Sequence, residues 1–266
     1  MWLIHFNDII FNVLINSGGL DLIIDFHSHF LPCIDDGSKS TEMSLEMLKK
    51  MKKQNVDTVV ATPHFYADEN RIDDFLSDRE NAYNSIKNEI NNIGINVKLG
   101  AEVTYFQGIS KADEIKKLTT EDTSILLLEL PFDKWDNSII EEVDYLINKR
   151  KFTVLLAHLD RYISISENKK YIKKLVKMPL VVQINAGGIL DSKRKKKTYS
   201  LIKKCDKIVL GSDCHNLTSR KPNLLDCRNI LFDDLGEKVI FNIDIFSEEF
   251  LFNGGKQNVK EISLYY

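Results

Sequence analysis

Seven apolar runs rich in β-branched residues recur along the 266-residue chain. They are LIIDF (22–26), TVVAT (58–62), NVKLGAE (96–102), SILLLEL (124–130), FTVLLAH (152–158), LVVQIN (180–185) and KIVLGSD (207–213). Between them lie amphipathic stretches. Residues 40–54 carry Met43, Met47, Leu48 and Met51 on one helical face, and 73–93 and 139–149 behave similarly. Strand-length runs alternating with helix-length stretches predict parallel strands joined by helical crossovers, because parallel neighbours cannot be connected by a tight turn. Seven such units, closed into a ring, make an α/β barrel, and the length is ordinary for one domain of that kind.

Polar residues stand at or just beyond the C-terminal end of each run: His27, His64, Glu102, Glu129, His158, Asn185 and Asp213, spaced 27 to 38 residues apart. Barrels and open α/β sheets build their sites at the carboxyl ends of parallel strands, where the loops converge. The first of these ends is DFHSHF, in which His27 and His29 occupy alternate positions and can face one ion. The last is Asp213-Cys214-His215, where acid and imidazole again share a face. After HSH, Asp35 and Asp36 precede Gly37 in a loop able to fold back over the mouth. The candidate ligands are therefore His27, His29, Asp36, His64, Glu102, Glu129, His158, Asp213 and His215, which include five of the six histidines. Nine imidazole and carboxylate donors exceed the needs of one tetrahedral ion and suit two or three divalent ions of the Mn²⁺, Fe or Zn²⁺ type.

The segments DFHSHFLPCIDDGSKS, VVATPHF, LGAEVTYF, LLLELPF, LLAHLDRY, VQINAGG and GSDCHN resemble, in that order, the successive motifs of the polymerase and histidinol phosphatase (PHP) family. Their likeness is greatest to its branch of manganese-dependent tyrosine-protein phosphatases from bacterial capsule and exopolysaccharide loci. The resemblance implies a distorted seven-stranded (β/α)7, TIM-like barrel holding up to three ions, Mn²⁺ first and Fe or Zn²⁺ as alternatives. By motif, one ion takes His27, His29, Glu102 and Asp213. Glu102 bridges to a second ion on Glu129 and His158, and the third takes Asp36, or Asp35 beside it, with His64 and His215. The implied activity is hydrolysis of phosphotyrosine by metal-activated hydroxide, on a bacterial tyrosine kinase that regulates polysaccharide synthesis. Arg161, three residues after His158, and Arg220, five after His215, are the expected guanidinium partners of the phosphoryl oxygens.

Other readings share these residues. A small-molecule phosphomonoesterase of the histidinol phosphatase type, or a phosphodiesterase or nuclease, fits the same scaffold, because loops choose the substrate. An amidohydrolase also begins with HxH but commonly bridges its ions with a lysine where this chain has Glu129. A non-catalytic binding module is expected to have lost ligands, and none is missing. Cys214 to Arg220 fits the C-x5-R pattern of thiol phosphatases, but the loop lacks glycine and strand alternation turns Cys214 away from Asp213 and His215.

A net charge of −3 and a pI near 6.1 argue against a nucleic-acid or general membrane binder. Four cysteines without CxxC spacing, and no basic or cleavable leader, indicate reduced thiols in the cytoplasm. Residues 1–20 are expected to be an N-terminal extension forming a short amphipathic helix, 21–254 the barrel domain, and 255–266 a frayed tail. No stable membrane insertion is expected. The run SKRKKK (192–197), followed by Lys203 and Lys204, would steer acidic partners if it rims the mouth.

Overall fold

The computed structural model describes residues 22–253. The expected helical extension over residues 1–20 and the tail over 255–266 lie outside the described residues.

Among the described residues nine parallel strands form: β1 (Ile24–Ser28), β2 (Thr58–Ala61), β3 (His64–Phe65), β4 (Asn96–Leu99), β5 (Glu102–Thr104), β6 (Ile125–Glu129), β7 (Thr153–Leu156), β8 (Val181–Asn185) and β9 (Ile208–Gly211). They are arranged as a three-stranded sheet, β1-β2-β4, and a six-stranded sheet, β3-β5-β6-β7-β8-β9. The expected count of seven is thus corrected, and the cause is local. The second expected strand stops at Ala61 and a further short strand follows it past Thr62-Pro63, while the third is cut at Gly100-Ala101. Pro63 has no N–H to give a ladder, and Gly100 weakens a strand interior. Their flanks still pair across the cuts, since Gly100 N donates to Ala61 O (2.8 Å) and Glu102 N to Pro63 O (3.0 Å). The two sheets also meet at the other side. Ser28 bridges Cys214 in parallel register, with Asp213 N donating to His27 O (2.7 Å) and His29 N to Cys214 O (2.9 Å).

Helices α1 (Thr41–Lys53), α2 (Ile72–Asn84), α3 (Lys87–Ile93), α4 (Asn137–Asn148), α5 (Leu159–Tyr162), α6 (Lys169–Leu175), α7 (Ala186–Leu190), α8 (Ser192–Ile202), α9 (Leu224–Leu235) and α10 (Glu237–Phe252) fill the crossovers and follow the last strand. Ser40 caps α1 by accepting from Met43 N at 3.2 Å. One periodic stretch, 73–93, is two helices, α2 and α3, separated at Ser85-Ile86. Burial follows strand alternation. On β6, Ile125 and Leu127 pack in one apolar cluster with Phe246 and Phe250 of α10, while Leu126 and Leu128 join a larger cluster with α1 and α4. β6 is therefore apolar on both faces, as a parallel strand covered on both sides must be.

Candidate active site

The carboxyl ends of the strands hold the site. His64 and Glu102 are direct register partners, as are Thr104 and Glu129. On β1 the register advances three residues, Asp25 to Ser28, against two on β2, a bulge beside His27. Asp25, buried and shifted up to about 6 chiefly by burial, accepts from His27 N (3.2 Å) and Ser212 N (2.8 Å), tying β1 to the segment after β9. His158 and Asp213 have positive φ of 32° and 52°. Non-glycine residues held there carry strain, and such strain collects at functional sites. Gly211 is required by close approach, since a Cβ there would lie 2.7 Å from His27 Cβ.

All nine sequence-derived candidates come together. The imidazoles form a continuous group, with ring centroids 5.6 Å apart for His158 and His27, 5.1 Å for His27 and His29, 4.6 Å for His29 and His64, and 3.9 Å for His29 and His215. Glu102 lies in their midst, 1% exposed. Its Oε2 is 3.0 Å from His27 Nε2, 3.3 Å from His29 Nε2 and 3.2 Å from His64 Nδ1, and its Oε1 is 2.9 Å from His158 Nε2. Glu129 Oε1 is 3.3 Å from the same His158 nitrogen, and its Oε2 accepts from Thr104 Oγ1.

The two adjacent aspartates take different places. Asp35 accepts from His29 Nδ1 (2.7 Å), His64 N (3.1 Å) and Gly37 N (2.9 Å), behind the cluster. Asp36 faces it, with Oδ1 3.1 Å from His215 Nε2 and 3.6 Å from His64 Nε2. Three groups have donor atoms close enough to share an ion: His29, Asp36, His64 and His215; His27, His29 and Asp213; and His64, Glu102 and Glu129. His64 therefore stands between two of them.

The hydrogen-bond pattern fits a metal centre. His27 Nδ1 bonds Gln183 Oε1 (3.1 Å) and His29 Nδ1 bonds Asp35 Oδ2, so both rings are oriented through their outer nitrogens. Their Nε2 atoms are left facing each other at 3.0 Å. Two imine nitrogens at that distance require a proton or a cation between them. His215 Nδ1 likewise spends its proton on Asp213 O (3.0 Å), so its buried Nε2 faces the Asp36 carboxylate at 3.1 Å without a hydrogen bond between them. Burial disfavours charge on His29, but hydrogen bonds and charge from Asp35 and Glu102 raise it to about 10. His215 is driven down to about 3 by burial and by His29. Burial also opposes charge on Asp213, yet His27, Arg161 and His29 hold it far below the ordinary carboxylate range.

Arg161 and Arg220 both reach the site. Arg161 Nη2 pairs with Asp213 Oδ2, and Arg220 Nη2 lies 2.6 Å from Oδ1 of the same carboxylate. Both remain partly exposed, so each can also face a ligand. Asn185 Nδ2 completes the ring around Asp213 at 2.8 Å. Beside His158 stands Phe132, 55% exposed, its ring 5.5 Å from the imidazole at 22° and 5.0 Å from Tyr162. Across the site Tyr66 stacks on His64 at 5.2 Å.

Sequence reasoning missed Gln183, which accepts from His158 N (2.6 Å) as well as orienting His27. Its signal was available: Gln183 and Asn185 are alternate polar residues closing a buried apolar strand. Cys214 is fully buried, and burial raises its thiol well above the ordinary range, so no thiolate nucleophile is presented there. Cys214→Ala is expected to leave kcat/KM within about twofold and to cost about 1 kcal/mol of stability, the order for deleting one buried heavy atom. A variant that folds but loses all turnover would reinstate thiol chemistry.

Known proteins resemble the chain over most of its length. Residues 23–250 match the family described as capsular polysaccharide synthesis, CpsB/CapC. The chain is 29% identical over 231 residues to the tyrosine-protein phosphatase CpsB of Streptococcus pneumoniae, covering 81% of this chain and 92% of that one. It is 28% identical over 240 residues to the tyrosine-protein phosphatase YwqE of Bacillus subtilis (strain 168), covering 87% and 92%. Crystallographic work on YwqE and S. pneumoniae CpsB, described as metal-dependent tyrosine phosphatases, provides a structure that superposes with a TM-score of 0.74 at 23% identity, covering 87% of this chain and 95% of that one.

Proposed function

Because the chain belongs to the CpsB/CapC family of capsular polysaccharide synthesis, we propose that it is a metal-dependent protein-tyrosine phosphatase. Its substrate is a phosphotyrosine protein, a bacterial tyrosine kinase of polysaccharide assembly, and its site works in the cytoplasm. The observation that carries this reading is the pair of facing Nε2 atoms of His27 and His29, set among three further imidazoles and the buried Glu102. His27, His29, Glu102 and Asp213 would hold one ion, Glu102 together with Glu129 and His158 a second, and Asp36, His64 and His215 a third, with Mn²⁺ the expected occupant. Divalent ions held there would supply a nucleophile at neutral pH and neutralise charge on the phosphoryl group.

The chain's own groups do the rest. Asp35 and Gln183 fix the His29 and His27 rings so that their inner nitrogens point into the site. Arg161 and Arg220 offer fixed positive charge at the mouth, the geometry suited to phosphoryl oxygens. Phe132 presents an exposed aromatic face beside His158, suited to the phenyl ring of an aryl ester. The leaving phenolate has a pKa near 10, so it needs less protonation than an alkoxide. No helix among the described residues is long and apolar enough to cross a membrane. The two parallel sheets are read as one distorted α/β barrel over residues 22–253, which the bonds across both cuts and the Ser28 to Cys214 bridge support.

The test is phosphate release from a phosphotyrosine peptide and from histidinol phosphate, and strand cleavage of an oligonucleotide, after chelation and again with Mn²⁺ restored. The expected result is Mn²⁺-dependent release with kcat/KM at least about 10-fold higher for the peptide. Preference for histidinol phosphate or the oligonucleotide would move the function to that substrate. Turnover indifferent to chelation would overturn the site.

A further inference from the structure

The lysine-rich helix α8 is the strongest charged feature that the site does not use. It opens on Asp191, whose carboxylate accepts from Lys193 N at 2.9 Å. Thr198, Leu201 and Ile202 are buried. Elsewhere on the helix a groove of about 660 Å³ is lined by Lys195, Lys196, Tyr199, Lys203 and Lys204, with Ser192 and Ser200. These positions step by three and one residues alternately, so they form a single stripe of the helix and the turn after it. At 1.5 Å per residue the stripe is about 18 Å long. Like charges packed on one helix destabilise it, so the fold itself does not call for them.

The helix starts on the side of the fold that holds the site, since it follows the carboxyl end of β8 and the short α7. Arg194, in the first turn, donates to Gly187 O (3.0 Å) and lies 3.5 Å from Asp160 Oδ2. Asp160 follows His158 by two residues and accepts from Asn185 N (2.9 Å). The stripe also shows what chemistry it accepts. The carboxylate of Asp234, from α9, is seated on it, 2.5 Å from Lys195 Nζ and 2.6 Å from the Tyr199 hydroxyl.

We propose that this face of α8 is a docking track for an acidic polypeptide segment flanking the phosphotyrosine of the substrate, an inference that rests on the phosphatase reading above. Alternate residues of an extended chain are about 6.6 Å apart, and successive turns of the helix about 5.4 Å, so carboxylates on one side of a strand meet successive lysine turns. About five or six residues span the track. A lipid surface is disfavoured because the groove is lined by lysine, serine and one tyrosine whose hydroxyl is held by Asp234, with no aliphatic side chain to insert. A polynucleotide is disfavoured by the carboxylate of Asp234 within the patch and by the net charge of −3.

The test is the double variant Lys196→Glu, Lys204→Glu in the full chain, which leaves the Lys195 and Arg194 pairs in place. Turnover is measured on p-nitrophenyl phosphate and on two phosphotyrosine peptides, one flanked by glutamates and one by glutamines. The variant is expected to lose about 10-fold or more in kcat/KM on the glutamate peptide alone, the order of an electrostatic steering effect, and added salt should reproduce the loss in the wild type. Fluorescence anisotropy of the unphosphorylated glutamate peptide reads docking without catalysis, so it separates failure of the track from failure of the phosphatase reading. Equal binding and turnover by variant and wild type would overturn the proposal. So would an equal fall on all three substrates, or a charge-dependent loss confined to sedimentation with anionic phosphatidylserine vesicles.

Discussion

Glu102→Gln is expected to lower kcat on a phosphotyrosine peptide by about 10³-fold, equivalent to roughly 4 kcal/mol of barrier, while leaving the folded structure intact. The carboxylate is the one group in contact with four imidazoles, with Oε2 near His27, His29 and His64 and Oε1 near His158. It can therefore serve donors on both sides of the cluster at once. Glutamine has nearly the same volume, so packing at this buried position changes little. What it lacks is the negative charge and the second acceptor oxygen, the properties needed to bridge two cations. Although burial works against the charge, His27, His158 and His29 hold Glu102 well below the ordinary carboxylate range, so it is ionised at any working pH. Steady-state kinetics, with circular dichroism to verify the fold, decide the matter. Activity within about tenfold of wild type would remove Glu102 from the centre of the mechanism.

The chain displayed more of this site than of the ladder that carries it. Strand ends were legible because the apolar runs give way to polar side chains there, and His27, Glu129, His158 and Asp213, buried though they are, each stand at such a change. The cuts in the second and third strands were hidden for the opposite reason. Pro63 and Gly100 interrupt the hydrogen-bond ladder without interrupting the hydrophobic pattern, so TVVAT with His64 and NVKLGAE read as continuous units. Asp35 and Asp36 could not be assigned from sequence, because their roles depend on the turn that Gly37 permits. A Cβ at Gly37 would lie 2.2 Å from His29 O, and without that approach Asp35 could not reach His29 Nδ1. Arg161 and Arg220 were legible as neighbours of ligands in the chain. Their convergence on one carboxylate, Asp213, follows from the ring of strand ends and has no signature in either segment.

Removing divalent ions is expected to lower the melting temperature by roughly 10 °C at pH 8.5 and by much less at pH 6. Any ligand that binds only the folded chain stabilises it by mass action, about 4 kcal/mol at a thousand times its dissociation constant, and about 2–4 °C per kcal/mol is ordinary for a domain of this size. The pH dependence comes from the protons that compete for the same nitrogens. Despite burial, hydrogen bonds and charge from Asp35 and Glu102 raise His29 to about 10, and those from Glu102 and Glu129 raise His158 to about 9. Histidines raised above their ordinary value of 6.5 contribute stability to the ion-free fold that is complete below that pH. It is lost as pH rises through 9 and 10, the folded values. Ion binding must displace these protons, so it is weak in acid and strengthens with pH. The gap between Mn²⁺-loaded and chelated protein should therefore widen from pH 6 to pH 8.5 in thermal melts followed by tryptophan fluorescence. Equal gaps at the two pH values would mean that the ions do not compete with these protons. No gap at pH 8.5 would mean that the cluster of His27, His29 and Glu102 is held together by its own hydrogen bonds alone.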